Sequence, residues 1–568
     1  MPALTTRLRW LVGGGAVALA GALVVGAIAV LGARPVPPAM TYVPRDSVVV
    51  AELRSDFPGD QLSKVGNLLA HFPGYKDQSI LGQKLDETLA RITRSVTSGS
   101  VDYARQVKPW LAGPLYAGGS LSTTSGASNA EYVVVFTTDG TVTCAPFTGA
   151  SPTTETYRGL TLDEATDSQP GACVIDGRQA VVGSVAWVKA ALDAHATSQG
   201  IDGLADYRTA RDRLGGDRLA TLYIGRSALT AQLGGGLASA MPSLDPAVEQ
   251  AVAGLPAWVI AGIRAEDNAL VADVVSAPFK PTGGIPGMSL APGTSLLSAP
   301  PAHASQVAGI LPADTAVLYE VHGLGAGLQN LLTQVRALPD VGSQLGQLDA
   351  VLGTLGGASS LLGWIGDADV VVMPDGASAT GGLVVLAPDD GTASAKAAQL
   401  VALLRLAGLS GGATTNVTET VIDGTTVTLA DFGDLSSLLG SAGATAPGGT
   451  SIPPGTHLVV SIAAHGSAVL IGSGETFVRR ILETAKGSTL ADQASYRNAV
   501  ALASARNDGQ LYVAAAPVLA LVEANLPAAD RTRYESDYQP YLAPLDAILE
   551  TTTSDASGLR VRLVLTVK

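Results

Sequence analysis

Val43-Pro44-Arg45-Asp46-Ser47 runs into Val48-Val49-Val50-Ala51-Glu52, and far downstream Leu311-Pro312-Ala313-Asp314-Thr315 runs into Ala316-Val317-Leu318-Tyr319-Glu320. Each stretch sets a polar turn before an aliphatic run that closes on a glutamate. The agreement continues: Val182-Gly183-Ser184, Tyr207-Arg208 and Tyr223 reappear as Ile471-Gly472-Ser473, Tyr496-Arg497 and Tyr512, all displaced by 289 positions (496 − 207). One constant offset over so many residues reads as a module written twice. The two starts differ by only 268 positions (312 − 44), so the second copy carries extra length before its later landmarks. Residues 433–454, rich in Ser, Gly, Ala and Pro, are the expected site of that insertion, as a surface loop.

Around these landmarks the chain reads as α+β, with mostly antiparallel sheet and packed helices in each of two tandem modules. In the first copy a strand is expected at 47–53, amphipathic helices at 61–71 and 80–96, and strands at 114–118, 131–137 and 141–145, with Asp139-Gly140 as a tight turn. A hairpin at 172–182 turns at Asp176-Gly177. Gly183-Ser184 then opens a helix to about His195, and a helix at 207–213, a strand at 219–224, a short helix near Leu229 and a hairpin at 258–275 close the copy. The second copy repeats the order. It has a strand at 315–321, helices at 328–337 and 341–355, strands at 370–373 and 382–387, a hairpin at 458–471 turned at His465-Gly466, a helix after Ser473, a strand at 510–514 and a last hairpin to Lys568.

Residues 10–31, WLVGGGAVALAGALVVGAIAVL, carry no charge and are long enough as a helix to cross a hydrocarbon core of about 30 Å. Arg7 and Arg9 precede them and only Arg34 follows before a Pro-rich run, which predicts a cytoplasmic amino terminus and an exported bulk. The rival reading is a cleaved secretory signal. Against it, the apolar run is longer than such signals require and Leu31 occupies a cleavage position that wants a small residue. The predicted order is therefore a tail at 1–9, a transmembrane helix at 10–31, a stalk at 32–41, a first module at 42–280, a Pro/Gly/Ser linker at 281–307 and a second module at 308–568.

Composition narrows the partners. Of 568 residues 47 % are hydrophobic and 15 % charged, enough apolar material for packed cores and too much for a disordered chain. A net charge of −14 repels phosphate backbones and makes nucleic acid an unfit partner. The lipid bilayer, met through residues 10–31, is the one partner the sequence names directly.

Chemistry is harder to find. The two cysteines, Cys144 and Cys173, lie in runs that read as strands on the exported side, and a disulfide between them is expected, two buried thiols being the alternative. The six histidines show no pair at ligand spacing, so no metal or other cofactor is expected. Ile471-Gly472-Ser473-Gly474 looks like a phosphate loop, but it lacks a lysine and its first-copy counterpart lacks the second glycine. The shared Ser184 and Ser473 read instead as helix caps. The same serines carry the weakest functional reading, a serine hydrolase, since the full G-x-S-x-G elbow is missing. Glu52 and Glu320 are the one repeated acid pair and the weak candidates for a ligand site. The plainer expectation is a strand glutamate facing solvent or a cross-strand cation. Tyr207-Arg208 and Tyr496-Arg497 read as packing contacts, as do Trp110 and Trp364.

Phe57-Pro58-Gly59-Asp60-Gln61, Phe72-Pro73-Gly74, Lys84-Leu85-Asp86-Glu87 and Lys108-Pro109-Trp110 with Gly113 together resemble the bacterial domain-of-unknown-function family 3352. Leu338-Pro339 and Gly346-Gln347-Leu348-Asp349 are weaker echoes in the second half. The resemblance implies a membrane segment followed by a large extracytoplasmic part, and it brings no catalytic residues. The expected function is a non-enzymatic binding or scaffold protein of the cell envelope. The alternative is a carrier for a lipid or other apolar ligand held in a cavity of the duplicated modules.

Overall fold

The structure, a computed structural model, describes residues 39–77, 79, 81–96, 102–120, 131–149, 151–166, 171–231, 254–278, 302–329, 360, 362–410, 416–434, 456–484 and 487–568. The chain divides into two compact units. The first is Met1–Gly283 with Asp555–Arg562 and Val567; the second is Gly284–Ser554 with Leu563–Thr566 and Lys568.

The described first unit contains β1 (Val49–Leu53), α1 (Gln61–Ala70), α2 (Leu81–Val96), β2 (Leu115–Ser120), β3 (Glu131–Thr137), β4 (Thr153–Tyr157), β5 (Leu160–Glu164), β6 (Ala172–Asp176) and β7 (Gln179–Gly183). It continues with α3 (Val185–Thr197), α4 (Ala205–Leu214), β8 (Ala220–Gly225), β9 (Trp258–Glu266) and β10 (Ala269–Ser276). All pairings are antiparallel, and the strands lie in the order β4-β5-β6-β7-β3-β2-β1-β8-β9-β10. Alternation explains the layering: Val50, Tyr116, Val133, Val135, Val174, Val181 and Ile260 all point to one face, where Val188, Leu192 and Tyr207 of α3 and α4 meet them.

In the second unit the strands are β11 (Val317–Val321), β12 (Ala368–Asp375), β13 (Ser378–Leu386), then after α5 (Asp390–Ser410) β14 (Asn416–Ile422), β15 (Thr425–Asp434), β16 (His457–His465) and β17 (Ala468–Ser473). There follow α6 (Gly474–Thr484), α7 (Ala494–Leu502), β18 (Gly509–Ala514), α8 (Ala515–Asn525), β19 (Leu545–Asp555) and β20 (Gly558–Val567), the last shared out between the units as given above. The strands lie in the order β14-β15-β16-β17-β13-β12-β11-β18-β19, again all antiparallel. Position by position this is the order of the first nine strands of the first unit. Small details recur as well. Pro44 bridges to Gly200 and Pro312 to Thr489, while Tyr207 meets Tyr223 edge-on at 5.2 Å and Tyr496 meets Tyr512 at 5.1 Å.

The hairpin turns at Asp176-Gly177 and His465-Gly466 stand where the sequence puts them, with Gly177 and Gly466 at φ of 59° and 54°, a region glycine enters without strain. Several expectations need correction. No strand forms at 141–145: Asp139 accepts from the Thr141 amide at 2.8 Å, closing a local turn, and Pro146 suits the single helical turn Ala145–Thr148 that follows. Strands β4, β5, β14 and β15 and the helix α5 escape the sequence reading. The extra length of the second unit lies partly in α5. The rest of the proposed insertion, 435–454, lies outside the described residues, as do most of the expected helices at 328–355 and most of the linker at 281–307. Residues 10–31 also lie outside them; among the described residues no helix is long and apolar enough to cross a membrane.

Candidate functional site

Strand β1 is flanked by β2 and β8, and β11 by β12 and β18, so a glutamate in the middle of either strand is enclosed by neighbours. Glu52 is 3 % exposed and Glu320 1 %. That overturns the expectation of a solvent-facing side chain: both share their strand's inward phase, with Val50 and Leu318, and burial follows from the phase.

The first unit satisfies its glutamate completely. Tyr116, directly opposite on β2, donates its hydroxyl at 2.7 Å to one oxygen, and Thr221, opposite on β8, donates to the other at 3.2 Å. Arg211 of α4 adds an ion pair at 3.1 Å and Arg54 another at 3.6 Å. Burial, with Glu52 beside it, raises the Tyr116 hydroxyl well above its ordinary range, so it stays a donor. This is a closed structural cluster. A depression of about 290 Å³ nearby is lined by Met40, Asp202, Tyr207, Arg208, Arg211 and Asp212.

In the second unit the same place is built differently. Opposite Glu320 stand Asp369 on β12 and Gln510 on β18. Gln510 donates its amide to Glu320 at 2.9 Å and to the Tyr496 hydroxyl at 2.8 Å. Two residues past the glutamate, His322 replaces Arg54. Its Nε2 stands 3.0 Å from Glu320 Oε1, within ion-pair range but off the line of a hydrogen bond, so both atoms are buried without a hydrogen-bond partner. Its Nδ1 lies 2.7 Å from the Asn507 carbonyl. The ring of His303 stacks on it at 3.9 Å, and His303 Nε2 lies 3.4 Å from Asp367, which also accepts from the Gly323 amide at 3.1 Å. Asp369 is 0 % exposed and neither of its oxygens has a hydrogen-bond partner. Burial first, then the charges of Glu320 and Asp367, push its carboxyl up to about 9. Burial pulls the His322 imidazole down, but Glu320 outweighs it and the ring is net raised.

His303, His322, Asp367 and Asp369 escape the sequence reading because register, not spacing, brings them together. One signal is present: in Asp367-Ala368-Asp369-Val370-Val371-Val372-Met373 the acids share the phase of the buried Val371 and Met373.

The remaining candidates resolve as follows. Cys144 and Cys173 are joined in a disulfide, Cys144 preceding the turn at Ala145–Thr148 and Cys173 on β6; Trp110, Phe136 and Phe147 pack around it. Ser184 is the residue before α3 but makes no capping bond, and its hydroxyl is buried without a partner. Ser473 donates to the Gly381 carbonyl at 2.9 Å, so it ties β17 to β13 and does not cap α6.

Another ionic cluster lies in the first unit. Asp273, 0 % exposed, meets Arg218 at 2.8 Å, Arg264 at 3.0 Å, Arg560 at 3.1 Å and Arg562 at 2.7 Å. Burial alone lifts its carboxyl, but Arg562 and the other guanidiniums more than reverse this and hold it below the usual range.

Fold and clusters together define a two-unit α+β protein whose antiparallel sheets bury charged groups at matching strand positions. The chain belongs to the family described as protein of unknown function (DUF3352), which matches residues 10–567. No curated protein matches it. Among solved structures it is similar to crystal form I of TP0453, at 10 % identity and a TM-score of 0.23, covering 44 % of this chain and 82 % of that one. Crystal form IV of the same protein gives 12 % identity and a TM-score of 0.22, over 43 % and 82 % of the two chains. Likenesses so loose carry no argument about fold or role.

Proposed function

We propose that the protein is a non-enzymatic binding or scaffold protein of the cell envelope, held in the membrane by residues 10–31 and exposing two copies of one ancestral module outside the cytoplasm. The observation that carries the duplication is the shared strand order of the two units, with the paired bridges at Pro44 and Pro312. The non-enzymatic reading draws on the use of the repeated polar residues. Glu52, Tyr207 and Tyr496 serve packing and buried pairing, and Ser473 bonds the sheet backbone. A carrier of apolar ligands has less support, because the depression beside Tyr207 is lined largely by charged side chains and offers an apolar ligand little to bury against.

Two measurements test this reading. Alkaline phosphatase fused after residue 41 should be active in living cells, and inactivity there rejects the topology. The purified chain should turn over none of a panel of ester, peptide and glycoside substrates. Turnover abolished by Ser184→Ala or Ser473→Ala rejects the non-enzymatic role.

A further inference from the structure

We propose that the second unit binds one divalent first-row transition ion, zinc above all, between Nε2 of His303, Nε2 of His322 and a carboxylate oxygen of Asp367. One potential ligand atom from each of these three side chains stands within 4.8 Å of the others. The tautomers suit the task; the rings stack at 3.9 Å with 14° between their planes, so the partly exposed His303 ring has to turn for both in-plane lone pairs to meet one ion. A carbonyl oxygen only accepts, so the Nδ1 of His322 at the Asn507 carbonyl carries its proton, and so does the Nδ1 of His303, 3.0 Å from the Ala304 carbonyl. Each Nε2 lone pair is thereby left for a cation, the arrangement in which a backbone carbonyl fixes a metal-binding histidine.

A second observation is independent of this geometry. Nε2 of His322, Oε1 of Glu320 and both oxygens of Asp369 are buried and answered by no hydrogen bond. In that tautomer Nε2 and Oε1 are two acceptors facing each other at 3.0 Å, repulsive until a positive charge enters. Three carboxylates converge here, and among the described residues no lysine or arginine pairs with them; His303 and His322 are the basic groups in reach. A mixed nitrogen and oxygen donor set suits zinc, whereas magnesium and calcium favour oxygen alone.

The first unit supplies the contrast. At the corresponding positions it places Arg54 for His322 and Tyr116 for Asp369, and its glutamate is satisfied by fixed cations and hydroxyls. The metal ligands come from the segment entering the second unit, the residue following β11 and the residue preceding β12. A bound ion ties these three stretches together.

The test uses the full-length chain without an affinity tag, purified in detergent, stripped with a chelator and titrated with zinc sulfate in a calorimeter. One equivalent of zinc is expected per chain. His303→Ala, at a partly exposed ring, and Asp367→Asn should each weaken binding by at least about 100-fold, while His457→Ala, at the exposed pair with Asp431, should leave it unchanged. The zinc X-ray absorption spectrum of the unaltered chain counts imidazole ligands without any substitution, and two are expected. A folded chain that takes up no zinc overturns the site, and leaves a proton between His322 and Glu320 in the ion's place. So does zinc affinity unchanged by His303→Ala, a spectrum with fewer than two imidazoles, or a preference for magnesium or calcium.

Discussion

Asp273 is a single carboxylate among four guanidiniums, all taken partly or wholly from water. Removing its charge leaves those arginines facing one another, and breaking a buried pair from one side costs about 3–5 kcal/mol. Asp273→Asn should therefore lower the unfolding free energy by about that amount in urea titration; a loss below about 1 kcal/mol counts against the cluster's structural weight. The acid dependence follows from the sign of the shift. A carboxyl held low in the fold stabilises it above the unfolded value of about 3.9, and that stability is lost as pH falls through the lower folded value. The wild-type midpoint should drop below about pH 4, and the Asn variant should show a flatter curve there. Single residues were also the hardest to read in advance. The inward phase of Glu52 is legible beside Val50, yet its partners Arg211 and Thr221 lie far away in sequence, and only the register of β1 with β8 brings Thr221 opposite.

Among the elements, legibility tracked how strongly one side of a segment is committed to the core. The hairpins β6-β7 and β16-β17 announce themselves through aliphatic runs broken by Asp-Gly and His-Gly. Strands β4 and β14 do not: Thr153–Tyr157 and Asn416–Ile422 expose most of their side chains, and their threonines and glutamates read as loop. Helix α5 is missed because alanine and leucine lie on all its sides, so the stripe of Ala393, Ala397, Leu400, Val401 and Leu404 that packs on the sheet does not stand out. Helix α6 reaches the sheet through Phe477, which fills a slot made by two glycines; a side chain at Gly472 meets the ring at 2.6 Å and one at Gly382 at 2.7 Å. Gly472→Val should accordingly destabilise by about 1–3 kcal/mol through overpacking, read from urea denaturation, and a neutral result removes the slot from the account. The first unit sets α3 on one face of the corresponding strand, β7, and covers the other with the aromatic cluster around Cys144–Cys173, where the second unit lays α5 against β17. Opening that 29-residue loop by reduction should cost about 3 kcal/mol. Hydrogen exchange should then quicken in peptides from 131–183; unchanged exchange there argues that the cross-link is idle.

At the scale of the molecule, the two units share one order of strands, and nothing in the repeated landmarks tells that they surround their buried glutamates differently. The contrast of Tyr116 with Asp369 becomes visible only when register sets each across from its glutamate, and that of Arg54 with His322 only when each is seen two residues past it. Membership of the units also departs from sequence order, because Asp555–Arg562 belongs to the first. A fragment ending at residue 283 should therefore fail to give a cooperative unfolding transition, and should regain it when 555–562 is appended through a flexible linker. Sharp melting of the bare fragment refutes this.

Arg560 follows Asp273 by 287 positions, so during synthesis the carboxylate waits for most of the remaining message to be translated before its last partners exist. The earlier half of the polypeptide is thus finished late, and a nascent chain still on the ribosome carries an incomplete charge cluster. A premature stop codon well into the second half of the reading frame removes two of the four arginines of a cluster in the first half as well.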